Sequence, residues 1–314
     1  MNKEELYLSF ENKFRGTREQ IINLLSNYDG SLNYCFNNFN NPKILDIGCG
    51  RGEWLQKLKE LGLDAIGIEN NRKMVEFCRE LELNVLEGDA ISLMNTFDDE
   101  SFTIISIFHV VEHLNSDYLD ELLTECKRLM CPEGLLIIET PSIDNLIVSS
   151  NHFYLDNTHI THINSSQIIF RLENLGFKSS RPYFINSGPL SNAHNMNLTR
   201  VLNGISQDLC IISSLSDFLN HDLNESKLII EDSLDIGLTT LNAASEFDHE
   251  LNILRSNVFD QNKEILELKK NLLDLQRNFQ VLNNFLNKLQ NNIFYKFFKY
   301  IMKFLRRIKK KIFS

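Results

Sequence analysis

No stretch of this 314-residue sequence approaches the length of a membrane span, so the chain is not expected to cross a bilayer. The N-terminus, MNKEELYLSFENKFRG, carries charges where a signal peptide needs an apolar run, and no secretory leader is expected. Cysteine is sparse and scattered. Cys35, Cys49, Cys78, Cys126, Cys131 and Cys210 form no CxxC pair and have no histidine at zinc-finger spacing, which excludes a structural zinc module and fits a reduced cytosolic compartment. Acids are missing altogether from residues 293–314, where eight Lys and Arg stand. The rest of the chain is the reverse: residues 1–292 hold 24 basic against 42 acidic residues, a net of −18. So acidic a body argues against nucleic acid as a partner.

What is present is an ordinary globular composition, 43% hydrophobic and 24% charged, in a length that suits one core domain with an appendage. Apolar strand-like runs alternate with helical patterns. KILDIG (43–48), a helix near 52–61, DAIGIE (64–69), a helix near 71–82 and NVLEGD (84–89) come first. SFTIISIFHV (101–110), a helix near 116–130 and GLLIIET (134–140) follow. This alternation predicts βαβ units and a parallel sheet covered on both faces. Beyond it lie a long loop from Pro141 to Ile163, of the kind that usually carries function, and a helix near 164–175. FKSSRPYFI (177–185) and QDLCIISS (207–214) supply two more strands, making seven in an α/β domain over 1–215, with 216–250 as a connector.

The chemistry begins at DIGCGRG, Asp46 to Gly52, which closes a strand and opens a helix. Gly48, Gly50 and Gly52 clear side chains from backbone that a ligand must touch, and a helix N-terminus offers free amide donors. A dinucleotide fingerprint would need its third glycine at 53, where Glu53 stands, so the spacing disfavours NAD. Glu69 ends the second strand, where a carboxylate can accept two ribose hydroxyls. Asp89 follows the third, beside Ala90, where it can accept an adenine amino group. Asp46 is expected near the ligand's amino group or bracing the turn.

These motifs resemble the class I S-adenosylmethionine (SAM) dependent methyltransferases, which implies SAM as cofactor and a Rossmann-like seven-stranded methyltransferase sheet. FRGTRE (14–19), FHVVEHL (108–114), IETPSIDN (138–145) and FYLDNTHITHI (153–163) further resemble the methyltransferase domain of the O-antigen chain-terminating methyltransferase/kinase family, over about residues 10–213. That resemblance implies action at the growing end of a bacterial surface polysaccharide, and a C-terminal coiled coil with a membrane-binding end. Two departures stand out. No room exists for a kinase between the last strand and the coiled coil, so a phosphate acceptor would have to come from another enzyme. Asn157 also stands where the related motif commonly has Pro.

A hydroxyl acceptor needs a base, whereas a phosphate oxygen is already anionic. His109, His113, Glu112 and His159 are the first candidates for acceptor chemistry, with Glu139, Asp156 and His162 behind them. One of His109 and His113 is read as the base, and a carboxylate/histidine metal site as the weaker alternative, so that no metal is expected. Arg15 and Arg18 suit the SAM carboxylate or an acceptor phosphate, or are surface charges.

From Leu251 to Ile293, apolar residues recur in steps of three and four over six heptads, with Gln261 the one polar d position and neither Pro nor Gly interrupting. That reads as a coiled-coil seam, dimeric or trimeric. Residues 294–314 then place Phe294, Phe297, Phe298, Ile301, Phe304 and Leu305 on one helical side and Lys296, Lys299, Lys303, Arg306 and Arg307 on the other. Such a helix suits an anionic membrane surface. The expected whole is a cytoplasmic O-methyltransferase, peripheral on the inner face of the membrane, acting on a glycan or lipid-linked acceptor. Its rivals are methylation of a small lipid-soluble acceptor such as a quinone, and a non-catalytic SAM-binding scaffold.

Overall fold

The computed structural model describes residues 3–187, 197–203, 205–217, 219, 228–229 and 239–312. They divide into two units, 1–247 and 248–314. Much of the expected connector 216–250, and the last two residues of the tail, lie outside the described residues.

The first unit is built on a seven-stranded sheet of order β3-β2-β1-β4-β5-β7-β6. The strands are β1 (Lys43–Ile47), β2 (Asp64–Glu69), β3 (Val85–Glu87), β4 (Phe102–Phe108), β5 (Met130–Pro141), β6 (Ser179–Ser187) and β7 (Ser206–Ser214). β1 to β5 pair in parallel. The parallel βαβ reading thus holds for β1 to β5, and β7, whose direction was not assigned from sequence, runs antiparallel to both β5 and β6. A hairpin-like return from β6 needs no crossover, and strand periodicity alone carries no direction.

Several helices start where a short polar side chain satisfies their free amides. Thr17 and Gln20 form a capping box at α2 (Arg18–Leu24), behind α1 (Lys3–Phe14) and ahead of α3 (Asp29–Asn38). Asn71 caps α5 (Arg72–Glu80), Asp89 caps α6 (Ala90–Met94), and Asn115 caps α7 (Ser116–Leu129). Only α4 (Glu53–Glu60) begins on a left-handed residue, Gly52. The long segment after β5 contains α8 (Leu146–Ser150) and a 3-10 turn at His152–Leu155 before α9 (Ser165–Leu175), and α10 (Leu198–Asn203) precedes β7.

The central strand FTIISIF is buried at every residue, as expected of a parallel strand covered on both faces. Leu45, Ile105, Ile107, Leu136 and Ile138 face one core with α7 and α9; Ile44, Ile104, Leu135 and Ile137 face the other with Tyr28 and Trp54. At about 1.5–3 kcal/mol for each fully buried aliphatic side chain, these two layers hold the sheet rigid beneath the site. Leu219, Leu228 and Ile229 also belong to the second core, and Ser31 Oγ donates to the Leu228 carbonyl, so part of the expected connector packs as domain.

The order of strands reverses between β1 and β4, the place where an open α/β sheet leaves a crevice at its carboxyl edge. Gly48 to Gly52 leave the end of β1, and His109 leaves the end of β4. The sheet therefore brings the glycine-rich turn and the first candidate histidine to one edge.

α11 (Thr240–Asn291) is one continuous helix that starts in the first unit and, from Asp248, belongs to the second, and α12 (Ile293–Ile312) follows it. α11 starts ahead of the heptad onset at Leu251, because Ala243 packs with Val201 and Ile205 in a small cluster of the first unit. No described helix is long and apolar enough to cross a membrane.

Candidate active site

A cavity of about 450 Å³ opens at the carboxyl edge of β1, β2 and β4. Its walls include Gly48, Gly50, Glu69, Asp89, Ala90, Arg15, His109 and His113, all singled out from the sequence, together with Tyr7, Met74 and Tyr118, which were not. Gly48 adopts φ +68, and a Cβ there would stand 2.4 Å from Val110 Cγ2, so only glycine lets the loop after β4 close over the turn. At Gly50, φ +53, a Cβ would meet only Met74 Sδ at 4.0 Å, which leaves that backbone open to the cavity.

Glu69 is a fixed acceptor. Its Oε2 accepts the Gly50 amide at 2.9 Å and its Oε1 the Asn71 amide at 2.7 Å. Burial pushes its carboxyl up, against the pull of those amides. Asp89 is held the other way: the Tyr118 hydroxyl, donating to Oδ2 at 2.6 Å, keeps it below the usual carboxylate range, and Oδ1 caps α6 through the Ser92 amide. Arg15 pairs with Glu11 at 3.2 Å and borders the cavity from the N-terminal segment.

Two expected contacts come out differently. Gly52 does not line the cavity; a Cβ on it would lie 2.6 Å from Leu83 Cδ1 and 2.8 Å from Cys78 Sγ, so this glycine serves packing and a left-handed helix start. Arg18 is occupied in bracing the turn, donating to the carbonyls of Arg51 at 2.6 Å and Gly52 at 3.0 Å and to Gln56. Of the two places expected for Asp46, it takes the one beneath the turn, outside the lining of this cavity. The Ser106 hydroxyl donates to it at 2.7 Å, and burial still raises its carboxyl to about 7.

His109 begins the acceptor side and holds a left-handed backbone, φ 53. That conformation costs a non-glycine residue roughly 1–2 kcal/mol and is retained where surrounding structure enforces it. Here the His109 amide donates to the Glu139 carbonyl at 2.8 Å. Both ring nitrogens face carboxylates: Nε2 lies 3.0 Å from Glu139 Oε1 and 3.8 Å from Asp208 Oδ1, and Nδ1 lies 3.3 Å from Glu112 Oε1. Burial alone would drive the ring neutral, but Glu112, Glu139 and Asp208 override it and hold His109 well above its ordinary value. With Nε2 and Nδ1 both turned to carboxylates, neither ring nitrogen is left facing an acceptor's proton, and His109 stands as a positioning residue. Burial raises Asp208 to about 6, and the Tyr28 hydroxyl donates to Glu139 Oε2.

The loop after β5 places the other histidines. His159 Nδ1 lies 2.7 Å from the Phe153 carbonyl, and His113 Nδ1 lies 2.9 Å from Thr158 Oγ1. Burial lowers His159, which favours the neutral ring. His162 stacks on Phe153 and turns Nε2 to the Ser149 carbonyl, so it packs beneath the loop. Asn157 is exposed, and the turn there closes through Asp156 Oδ1, which accepts the amide and hydroxyl of Thr158. A second cavity of about 440 Å³ lies against this loop, walled by Phe10, Phe14, His152, Asp156, His159 and Gln207 among others. It shares Tyr7, Glu11, Arg15, His109 and His113 with the first.

Sequence reasoning passed over Asp208, Tyr28 and Tyr118. Asp208 alone left a signal, a carboxylate inside the otherwise apolar strand QDLCIISS.

Comparison with known proteins bears on this site. A family profile described as "Methyltransferase domain" matches residues 19–179. A solved SAM-dependent methyltransferase from Archaeoglobus fulgidus is 33% identical, with TM-score 0.58, covering 66% of this chain and 99% of that one. Two curated relatives are named ubiquinone biosynthesis O-methyltransferase. The one from Pelagibacter ubique is 31% identical over 103 residues, and the one from Mesorhizobium japonicum 28% over 109; each match covers 32% of this chain and 42% of the relative. The chain thus spans about two-fifths of the length of these curated relatives.

Proposed function

The chain belongs to the methyltransferase domain family, and from that premise we propose that it transfers a methyl group from SAM to an oxygen of a glycan or glycolipid-linked acceptor. The observation that carries this reading is the pair of adjoining cavities, one built on glycine backbone and strand-end acids, the other on histidines, with Arg15, His109 and His113 common to both.

The residues present fit SAM. The open backbone at Gly50, next to Glu69 with its fixed orientation, forms a polar end for a ribose, and Asp89 with the Ala90 amide offers an acceptor and a donor for an adenine edge. Arg15 supplies the cation for a carboxylate. Asp46, bonded to Ser106, stiffens the turn beneath. When bound, SAM supplies a methyl carbon already activated by its sulfonium, so the chain's task is alignment and exclusion of water. His109, locked between Glu139 and Glu112, positions the wall between the cavities. For a hydroxyl acceptor, proton removal falls to His113, after β4, and His159, on the loop after β5; a phosphate oxygen needs none.

Partners follow from the second unit. Along α11, Leu268, Leu272, Leu275 and Phe279 are all more than half exposed, an apolar stripe that another copy of the chain would cover as a coiled coil. α12, with aromatic residues on one side and Lys and Arg on the other, suits an anionic membrane surface, which would hold the enzyme at the inner face of the membrane.

A second reading, methylation of a quinone-type phenol, is favoured by the names of the curated relatives. The deciding experiment is turnover of SAM against extracted lipid-linked glycans and, separately, a ubiquinone-type phenol, with mass spectrometry locating the new methyl group. A methyl on a glycan oxygen is expected. Methylation of the phenol alone would replace this reading by the second, and methylation of neither would overturn both.

A further inference from the structure

Glu112 and His113, on the 3-10 turn after β4, and His159, on the loop after β5, gather their ligand atoms in one place. The Thr158 hydroxyl has a single hydrogen, and the Asp156 carboxylate, 2.6 Å away, accepts it. His113 Nδ1, 2.9 Å from the same oxygen, must therefore be the donor there, which leaves Nε2 bare in the neutral ring. A carbonyl oxygen can only accept, so His159 Nδ1 donates to Phe153, and Nε2 of that ring is bare as well. Glu112 is fully buried; Thr140 Oγ1 donates to its Oε2, but its Oε1 has no hydrogen bond of acceptable geometry, the nearest donor being His109 Nδ1 at 3.3 Å. His159 Nε2 stands 4.0 Å from that orphaned oxygen and 4.0 Å from Asp156 Oδ2. Ligand atoms of Glu112, His113 and His159 all lie within 4.8 Å of one another.

A buried carboxylate oxygen whose one nearby donor, His109 Nδ1, fails hydrogen-bond geometry forgoes much of its stabilisation, and the bare Nε2 of His159 at 4.0 Å offers it no proton. A positive charge at their meeting point removes the conflict. We propose that Glu112, His113 and His159 form a site for a divalent transition-metal cation of the Zn²⁺ or Co²⁺ kind. Two imidazoles with one carboxylate are a donor set such cations take, and three protein ligands leave a coordination position open. The outer contacts are those of a built metal site: Thr158 and the Phe153 carbonyl fix the tautomer of each histidine, and Asp156 orients Thr158.

The site deepens the reading given under Proposed function and rests on it for its consequence. Because His113 and His159 both wall the acceptor cavity, the open position faces an incoming oxygen. With the bare nitrogens of His113 and His159 engaged by the cation, the proton of a hydroxyl polarised there passes to the Asp156 carboxylate in their place, as the O–H bond breaks and leaves its electron pair on oxygen.

The test uses the intact chain and cobalt alone. After equilibration with Co²⁺ and removal of free metal, elemental analysis should find about one equivalent per chain, with visible absorption from nitrogen and oxygen ligation. His159→Ala and Glu112→Gln should each abolish that uptake, while His249→Ala, on α11, should leave it intact. Thr158→Val keeps every ligand but frees the His113 tautomer, and should weaken cobalt binding by about 10-fold to 100-fold. If Glu112→Gln fails to fold, His159→Ala carries the test, its fold checked by SAM calorimetry. Absence of uptake by the wild-type chain, or uptake unchanged in His159→Ala, overturns the site. Cobalt uptake without methylation of any acceptor would leave the site standing and remove the proposed function instead.

Discussion

The two units of this chain put the same residue types to opposite use. In the sheet domain Ile104, Ile105, Leu122 and Leu136 are completely buried, whereas Leu268 is 66%, Leu275 68% and Phe294 83% exposed in the two long helices. The order of the first unit is explained by its own packing. Fifty-two residues of unbroken helix with an open apolar stripe are not explained so, since intrinsic propensity alone is marginal and such a face is stable only when covered. The contrast separates what the chain builds by itself from what it builds with something else.

The sharpest break of the comparison is a matched pair of truncations. Leu122→Ala should cost the sheet domain about 2–5 kcal/mol in denaturant unfolding, through lost burial and the cavity left behind. Leu275→Ala should leave that transition in place and lower the molar mass seen by light scattering. A shift of the domain transition by Leu275→Ala would show that the helix supports the fold directly.

A second effect belongs to the sheet domain alone. Asp46, at about 7 when folded against an ordinary unfolded value, binds more protons folded than unfolded, so its contribution is present at low pH and lost as pH rises toward 7. His109, also raised, adds in the same direction above its unfolded value, its contribution fading as pH climbs through the folded one. Between about pH 5 and pH 8 the domain should lose on the order of 2 kcal/mol on this account. Asp46→Asn should flatten that slope, and denaturant melts at the two pH values would detect it.

The smallest of these effects concerns the tail. Each Lys or Arg near an anionic surface contributes about 1 kcal/mol, so one α12 helix binds reversibly, and two or three on one stalk gain about 100-fold in avidity. Flotation with anionic vesicles should lose the protein when residues 294–314 are deleted and weaken it with Leu275→Pro. Binding undiminished by the deletion would contradict the anchor.

How much of this was legible in the sequence follows the same divide between local and distant. The turn DIGCGRG, the strand-end acids Glu69 and Asp89, and the heptad stripe are local patterns, and their elements stand where periodicity and glycine place them. Asp208 reaches His109 only because β7 returns antiparallel beside β5, a pairing that no local pattern encodes. Gly52 and Arg18 misled for a related reason. A glycine reads alike whether it spares a ligand or the Cys78 and Leu83 side chains, and a guanidinium whether it meets substrate or the carbonyls of Arg51 and Gly52. The metal reading, the weaker alternative from the sequence, depends on hydrogen bonds that fix the tautomers of His113 and His159 across distant segments, which no local pattern encodes.

The central claim is that the cavity at the carboxyl edge of β1, β2 and β4 is a SAM site, and titration calorimetry of SAM into the intact chain tests it most directly. The wild-type chain should bind, and Glu69→Ala should bind more weakly by about 1.5–3 kcal/mol, the worth of hydrogen bonds to a charged acceptor. Glu69→Gln, which keeps an acceptor oxygen for the Gly50 amide, should fall between them. No heat with the wild type, or equal affinity in wild type and Glu69→Ala, would contradict the account.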